Sequence, residues 1–277
     1  HSQTRRQFLN TTGQFSLGAI ALQSLIGHAS AASSGNPLAM KAPPLPAKAK
    51  AVIYLSMSGA PPSLDMFDWK PELKALDGKP FPESFTKGQQ LAQLQNAELK
   101  ARGTFTEFHK HGKGGVEISD LFPNIAGITD ELCVIRSMQT DLPAHPQAFV
   151  KMHTGNSQFV RPSLGAWTLY GLGTENQNLP GFISLNTSKP SVYASACLPP
   201  IFEGTPIGTN GEDMSKATIS NISGEHLPLA VKRQQLDLIQ SLNRNHLAAR
   251  RDDQRLEGVI QTMELGYRMQ AAAPGLL

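Results

Sequence analysis

The sequence predicts an α/β fold with a largely parallel sheet, because short apolar runs alternate with helical patterns along the chain. Three runs have the length and the β-branched content of strands that are buried on both faces. They cover residues 51–57, 132–138 and 182–185, and helical segments lie between and after them. The resulting order of strand, helix, strand, helix, strand is typical of this fold class.

The first run, AVIYLSM, is continuously apolar and ends at a turn rich in Gly and Pro. The second contains Cys133, which we expect to be a small buried hydrophobe. In an exported protein, Cys133 could also form a disulfide with Cys197, the other cysteine of the chain. The two cysteines lack the paired spacing of a zinc site, so a metal site built on cysteine is not expected.

Four helical segments are predicted from caps and from apolar spacing. Ser119 and Asp120 can cap a helix that passes through Ile128. Two shorter helices are predicted at residues 147–153 and 163–170. Residues 229–269 carry apolar side chains at helical spacing among many charges, which indicates long amphipathic helices with one packed face.

Residues 1–31 have the pattern of a twin-arginine signal peptide. Arg5 and Arg6 come before a moderately apolar stretch at residues 15–27, and Ala29-Ser30-Ala31 offers a cleavage site. The apolar stretch is too short and too rich in Gly, Ser and Gln for a permanent membrane span. We therefore expect the twin-arginine export machinery to carry the folded protein to the periplasm or cell envelope.

Residues 32–48 are rich in Pro, Ala and Lys and are predicted to be a linker. Residues 49–277 are predicted to be one α/β domain, expected to lack its C-terminal part because the sequence stops soon after a helix. The formal net charge is only +3 and the basic residues are scattered. A nucleic acid is therefore not an expected partner.

Candidate site residues follow the first two predicted strands, where ligands bind in open α/β sheets. Asp65 and Asp68 come after the first strand, and His145 and His153 come after the second. Carboxylate and imidazole groups can hold a divalent metal such as Zn²⁺, Mn²⁺, Ca²⁺ or Mg²⁺, so these four are predicted metal ligands. His145 could also be a general acid or a nucleophile, and Arg161 could bind an anionic ester through its guanidinium group.

Each of these side chains also has a purely structural interpretation. Asp65 could cap a turn, and Asp68 could lie at the surface. His145 could be a structural loop residue, and His153 could be a cation at the C-terminus of a helix. Arg161 could form a surface ion pair.

Two further polar segments have the same ambiguity. His109-Lys110-His111 is predicted to be an exposed basic turn, since adjacent loop residues seldom converge on a metal. Residues 175–178, with the sequence ENQN, could bind sugar hydroxyls or could brace their own loop through hydrogen bonds.

Several segments resemble the exported family called domain of unknown function 1501, a sulfatase-like branch of the alkaline phosphatase superfamily. They are the first predicted strand with its loop and residues 132–138, 145–155 and 161–182, the last of which contain the motif GLGTENQNLPGF. The resemblance implies an alkaline-phosphatase-like, mostly parallel central sheet flanked by helices. It also implies a metal-assisted hydrolase ancestry.

The same resemblance places individual residues in superfamily positions. Superfamily members have a nucleophile at the N-terminus of a helix, followed at a fixed distance by Thr-Gly. His145 occupies that position here, ahead of Thr154 and Gly155. A metal-binding Asp at the end of the first strand is replaced by Ser58, and the two aspartates that follow could substitute for it.

The leading hypothesis is a metal-dependent hydrolase of sulfate or phosphate esters, with an anionic ester or a sulfated polysaccharide as substrate. The alternative is a catalytically inactive binding protein of the cell envelope on the same scaffold. A third, an envelope assembly protein, has weaker support. Export in folded form favours the hydrolase, whereas His145 cannot become a formylglycine, which favours the binding protein.

Overall fold

The computed structural model describes residues 36–57, 59–60, 62–89, 91, 94, 97–187, 190–209, 213–219, 222, 227–249 and 254–273. The predicted signal peptide and the position of Ser58 lie outside these residues. The chain divides into two compact units: unit 1 comprises His1–Lys48, His153–Gly155 and Phe159–Leu277, and unit 2 comprises Ala49–Met152 and Asn156–Gln158. Within the described residues, no helix combines the length and the apolar character that crossing a bilayer requires.

Unit 2 is built from short helices around a β-hairpin. Its strands pair antiparallel, with Phe108 opposite Ser119 and His111 opposite Val116. The rings of Trp69 and Phe108 stack with their centroids 5.9 Å apart, which fixes the hairpin against the chain before it. The elements are α1 Ser63–Met66, α2 Glu72–Leu76, α3 Glu83–Thr86, β1 Phe108–His111, β2 Val116–Ser119, α4 Pro123–Ala126 and a 3₁₀ turn at Thr129–Glu131; α5, His145–Thr154, follows.

Two of the three predicted strands are not strands in the structure. Residues 51–57 have no regular secondary structure, and the side chain of Leu55 is 89% exposed. Residues 132–138 lie mainly in irregular structure, and Cys133 is exposed rather than buried. An apolar run becomes a buried strand only when neighbouring strands cover it, and the run itself does not report on those neighbours.

The predicted helix at residues 119–128 is also partly wrong. Ser119 ends β2, and the helix covers only Pro123–Ala126. The cause is the hairpin turn, in which Gly112 and Gly115 both adopt positive φ and return the chain to pair with β1. Ser119 therefore pairs with β1 as a strand residue and does not cap a helix, as the sequence predicts it could.

Unit 1 contains a parallel two-stranded sheet and the longest helices. The third predicted strand is confirmed, and Ile183 pairs with Thr205 and Leu185 with Ile207. The predicted helices at 163–170 and 229–269 are confirmed, the latter as two helices. The elements are α6 Leu164–Leu172, β3 Ile183–Thr187, β4 Thr205–Thr209, α7 Leu229–Ala249, α8 Gln254–Ala272 and 3₁₀ turns at Pro190–Tyr193, Pro200–Phe202 and Met214–Lys216.

The core of unit 1 joins residues that lie far apart in the sequence. Ser163 caps α6 by accepting a hydrogen bond from the Ala166 amide, which starts the helix at a defined residue. The buried apolar cluster combines side chains from α6, from the 3₁₀ turn at Pro200–Phe202, from α8 and from one residue of the predicted linker. Its members are Leu38, Leu169, Ile201, Phe202, Leu265 and Met269.

Helices α7 and α8 are joined by a charged network as well as by apolar packing. The Arg233 guanidinium donates to both carboxylate oxygens of Glu264, at 2.8 and 3.0 Å. It also pairs with Asp237 one turn further along α7. Gln240 is fully buried and donates to the Ile260 carbonyl at 2.9 Å. Helices α7 and α8 are thus held together by directional bonds at one side of their apolar face.

This network predicts a pH dependence of the stability of unit 1. Hydrogen bonds from Arg233 hold the pKa of Glu264 below its ordinary value of 4.5. A lowered folded-state pKa stabilises the protein above the ordinary value, and that contribution is lost as the pH falls through the folded-state pKa. Glu264→Gln should therefore lower the urea midpoint at about pH 7, and the gap from wild type should shrink by about pH 3.

Glu257→Gln on the same helix is the matched control, because the hydrogen bond that the structure describes for Glu257 comes from Gln261, a neutral side chain. It should leave the urea midpoint near the wild-type value at both pH values. A gap between Glu264→Gln and wild type that stays constant with pH would contradict the role assigned to the carboxylate.

Candidate functional site

His145 is the first residue of α5, and its side chain is exposed. The helix is established at once, because the Ala148 amide donates to the Ala144 carbonyl at 3.0 Å. Its remaining first-turn amides point along the axis at the end that attracts anions. The predicted helix at 147–153 is thereby confirmed, and it begins at the position that the resemblance assigns to a nucleophile.

A lysine lies one and a half turns into the same helix and pairs with the loop before it. The Lys151 ammonium bonds to the Asp141 carboxylate. This bond and the nearby positive charge lower the pKa of Asp141. Both side chains are at the surface, so the ion pair contributes little to stability.

Asp65 and Asp68 lie together near α1. Asp65 is in the first turn of that helix, where a carboxylate is favoured by the helix dipole. Asp68 follows the helix and forms an ion pair with Lys70 at 2.8 Å. Pro62 rather than Asp65 is the cap residue of α1, whereas the ion pair of Asp68 fits the surface role that the sequence allows.

His153 and Arg161 are placed very differently from each other. His153 is only 5% exposed, and its ring meets the Tyr193 ring edge-on with the centroids 5.3 Å apart. A buried imidazole packed against an aromatic ring differs from an exposed cation at a helix end. Arg161 is exposed, two residues before the cap of α6.

The four predicted metal ligands are divided between the two units: Asp65, Asp68 and His145 belong to unit 2, and His153 belongs to unit 1. Within the part of the chain that the structure describes, no three His, Cys, Asp or Glu side chains are grouped so that they could hold a metal ion. A structural metal site has three or four protein ligands, so the described side chains alone do not complete one.

The predicted basic turn at His109-Lys110-His111 is wrong, because these residues belong to strand β1, whereas the ENQN segment at residues 175–178 is braced by its own hydrogen bonds. His109 lies 3.4 Å from the Asp120 carboxylate on the β1–β2 hairpin, and both are exposed. The Asn176 side chain accepts from the amides of Asn178 and Leu179, at 2.8 and 3.1 Å. Gln177 donates to the Thr174 carbonyl at 2.7 Å. The ENQN segment thus braces its own loop, as one of its two interpretations predicts.

The described residues form helices and two small two-stranded sheets in two units, with an exposed histidine at the start of α5. The family described as "Protein of unknown function (DUF1501)" matches residues 49–277. The chain therefore belongs to that family, as the motif at residues 171–182 predicts. No match is found among curated proteins or among solved structures.

Proposed function

We propose that the protein is an exported, sulfatase-like hydrolase of sulfate or phosphate esters that depends on a divalent metal. The observation that carries the proposal is the start of α5 at His145, with the imidazole exposed. A helix start is where the superfamily named by the resemblance keeps its nucleophile. The expected setting is the periplasm or cell envelope, and the expected substrate is an anionic ester or a sulfated polysaccharide.

An imidazole at a helix N-terminus has the chemistry that ester cleavage needs. It can take a proton from an attacking water, give one to the departing alkoxide oxygen, or attack the phosphorus or sulfur atom itself. The first-turn amides and the helix dipole favour the negative non-bridging oxygens of the substrate at the same place. Arg161 remains a proposed anion-binding residue, since its exposed guanidinium can form paired bonds to an ester.

The second candidate is a catalytically inactive binding protein of the cell envelope. It is favoured by two ion pairs: Lys70 occupies the carboxylate of the predicted ligand Asp68, and Lys151 of α5 occupies that of Asp141. It is also favoured by a histidine in the position where sulfatases carry formylglycine. Such a protein would bind the same anionic groups without turning them over.

Metal analysis of the purified full-length protein separates the two candidates. We expect a stoichiometric divalent metal, and we expect chelation to lower the melting temperature, because a ligand that binds only the folded state stabilises it. His145→Ala should lower the metal content, whereas His246→Ala, an exposed histidine of α7, should not. A fully folded protein without metal would favour the binding protein.

A further inference from the structure

Part of the predicted linker belongs to the core of unit 1. We call residues 36–41 the N-terminal clasp. Its Leu38 side chain is 1% exposed and lies in the apolar cluster with Leu169 and Phe202. Leu45, seven residues further on, is 75% exposed. The clasp is therefore packed as interior chain, while the following residues have the exposure expected of a linker.

The backbone of the clasp is bonded to the end of α6 and to the turn after it. The Lys41 amide donates to the Leu172 carbonyl, and the Thr174 amide donates to the Leu38 carbonyl, both at 2.9 Å. These two bonds lie on either side of Gly173 and run in opposite directions. The first bond satisfies the Leu172 carbonyl, which lies in the last turn of α6 and would otherwise need water or a side chain as its donor.

Gly173 is required for this close approach. It adopts a φ of +71°, and a Cβ atom at this position would lie 2.1 Å from the Ala39 carbonyl oxygen. No side chain fits such a distance, because the carbonyl is backbone and cannot move without the clasp. Gly171, two residues earlier, does not adopt a positive φ, and a Cβ atom there would have nothing within 4 Å.

Side chains complete the contact at both ends of the clasp. The Asn36 amide bonds to the Gln177 side chain, and Gln177 donates in turn to the Leu38 carbonyl at 3.3 Å. The Lys41 ammonium bonds to the Tyr170 carbonyl and lies 5.0 Å from the centroid of the Tyr170 ring. Burial of this ammonium lowers the pKa of Lys41.

We propose that the GLGTENQN part of the family motif is a docking site, and that its partner is the chain's own segment 36–41. Gly173 supplies the space, Thr174 and Leu172 supply the backbone bonds, and Gln177 holds the clasp carbonyl. The motif thus binds a segment of its own chain rather than a sugar. This inference does not depend on the proposed hydrolase activity.

The docking has a consequence for processing of the N-terminus. The clasp can form only after α6 has folded, because its partners are the last turn of that helix and the residues after it. A protease needs an extended substrate, so the folded clasp protects residues 36–41 from cleavage.

Limited trypsin digestion of the full chain, read by mass spectrometry, tests the docking. Lys41 is held in the clasp, whereas Lys48 is exposed, so wild type should be cut after Lys48 well before Lys41. Gly173→Ala should raise the rate of cleavage after Lys41 by about tenfold or more, because the new methyl group displaces Ala39. Gly171→Ala should leave that rate unchanged.

A second matched pair covers the case in which Gly173→Ala does not fold. Leu38→Ala should also accelerate cleavage after Lys41, and Leu45→Ala, four residues beyond that lysine, should not. Cleavage after Lys41 as fast as after Lys48 in wild type would overturn the proposal. Equal rates in Leu38→Ala and Leu45→Ala would overturn it as well.

Discussion

Leu265→Ala is expected to lower the free energy of unfolding of unit 1 by about 2–5 kcal/mol. Leu265 lies on α8, is 7% exposed and belongs to the apolar cluster around Phe202. Truncation removes the transfer free energy of its buried methyl groups and leaves a cavity among side chains from four parts of the chain. A loss of this size is a large share of the stability of an ordinary domain.

Leu238→Ala is the control for this prediction, because it makes the same substitution on α7, the helix that packs beside α8. Leu238 is 64% exposed, so its truncation should change the free energy of unfolding by no more than about 0.5 kcal/mol. Urea denaturation followed by circular dichroism measures both variants. Similar losses for the two leucines would mean that the cluster is not the core of unit 1.

The longer helices of unit 1 could be predicted from the sequence because their signals are local. Ser163 caps α6 at the predicted place, and the apolar residues between 229 and 269 recur at the spacing of one helix face. Caps and periodicity act within one or two turns, so the local sequence contains all the information that the helix uses. Strand β3 could be found for a similar reason, as a short β-branched run between turns.

The sheets were harder to predict because a strand depends on a partner elsewhere in the chain. Residues 51–57 and 132–138 have stronger strand patterns than β4, yet β4 is the strand that pairs with β3. The sequence of β4 contains Pro206 and Gly208, which weaken any local strand signal. The mostly parallel, alkaline-phosphatase-like sheet therefore remains a prediction.

The candidate site could be predicted only in part. The helix at residues 147–153 follows from local sequence, and the structure contains it with a start two residues earlier, at His145. His153 packs against Tyr193, which lies forty positions later in the sequence, so no local pattern predicts its burial. The role of Gln177 in holding Leu38 spans 139 positions and was hidden for the same reason. The composition of residues 32–48 predicts a linker, because the single buried leucine, Leu38, hardly changes the average composition of that segment.

His145→Ala is expected to lower kcat/KM for ester hydrolysis by about 10²–10⁴-fold, the usual contribution of a group that transfers a proton in the transition state. A nucleophilic role would make the loss at least as large, because the covalent step would have no acceptor. The fold should survive, since the imidazole is exposed and alanine is favourable in a helix. His246→Ala removes another exposed helical histidine and should keep the wild-type rate.

The rate of product release from chromogenic sulfate and phosphate esters tests the central claim most directly. We predict turnover of at least one ester by wild type and by His246→Ala, with the signal nearly abolished in folded His145→Ala. Turnover by His145→Ala at the wild-type rate would contradict the account. So would metal-loaded wild-type protein that binds these esters but leaves every one of them intact.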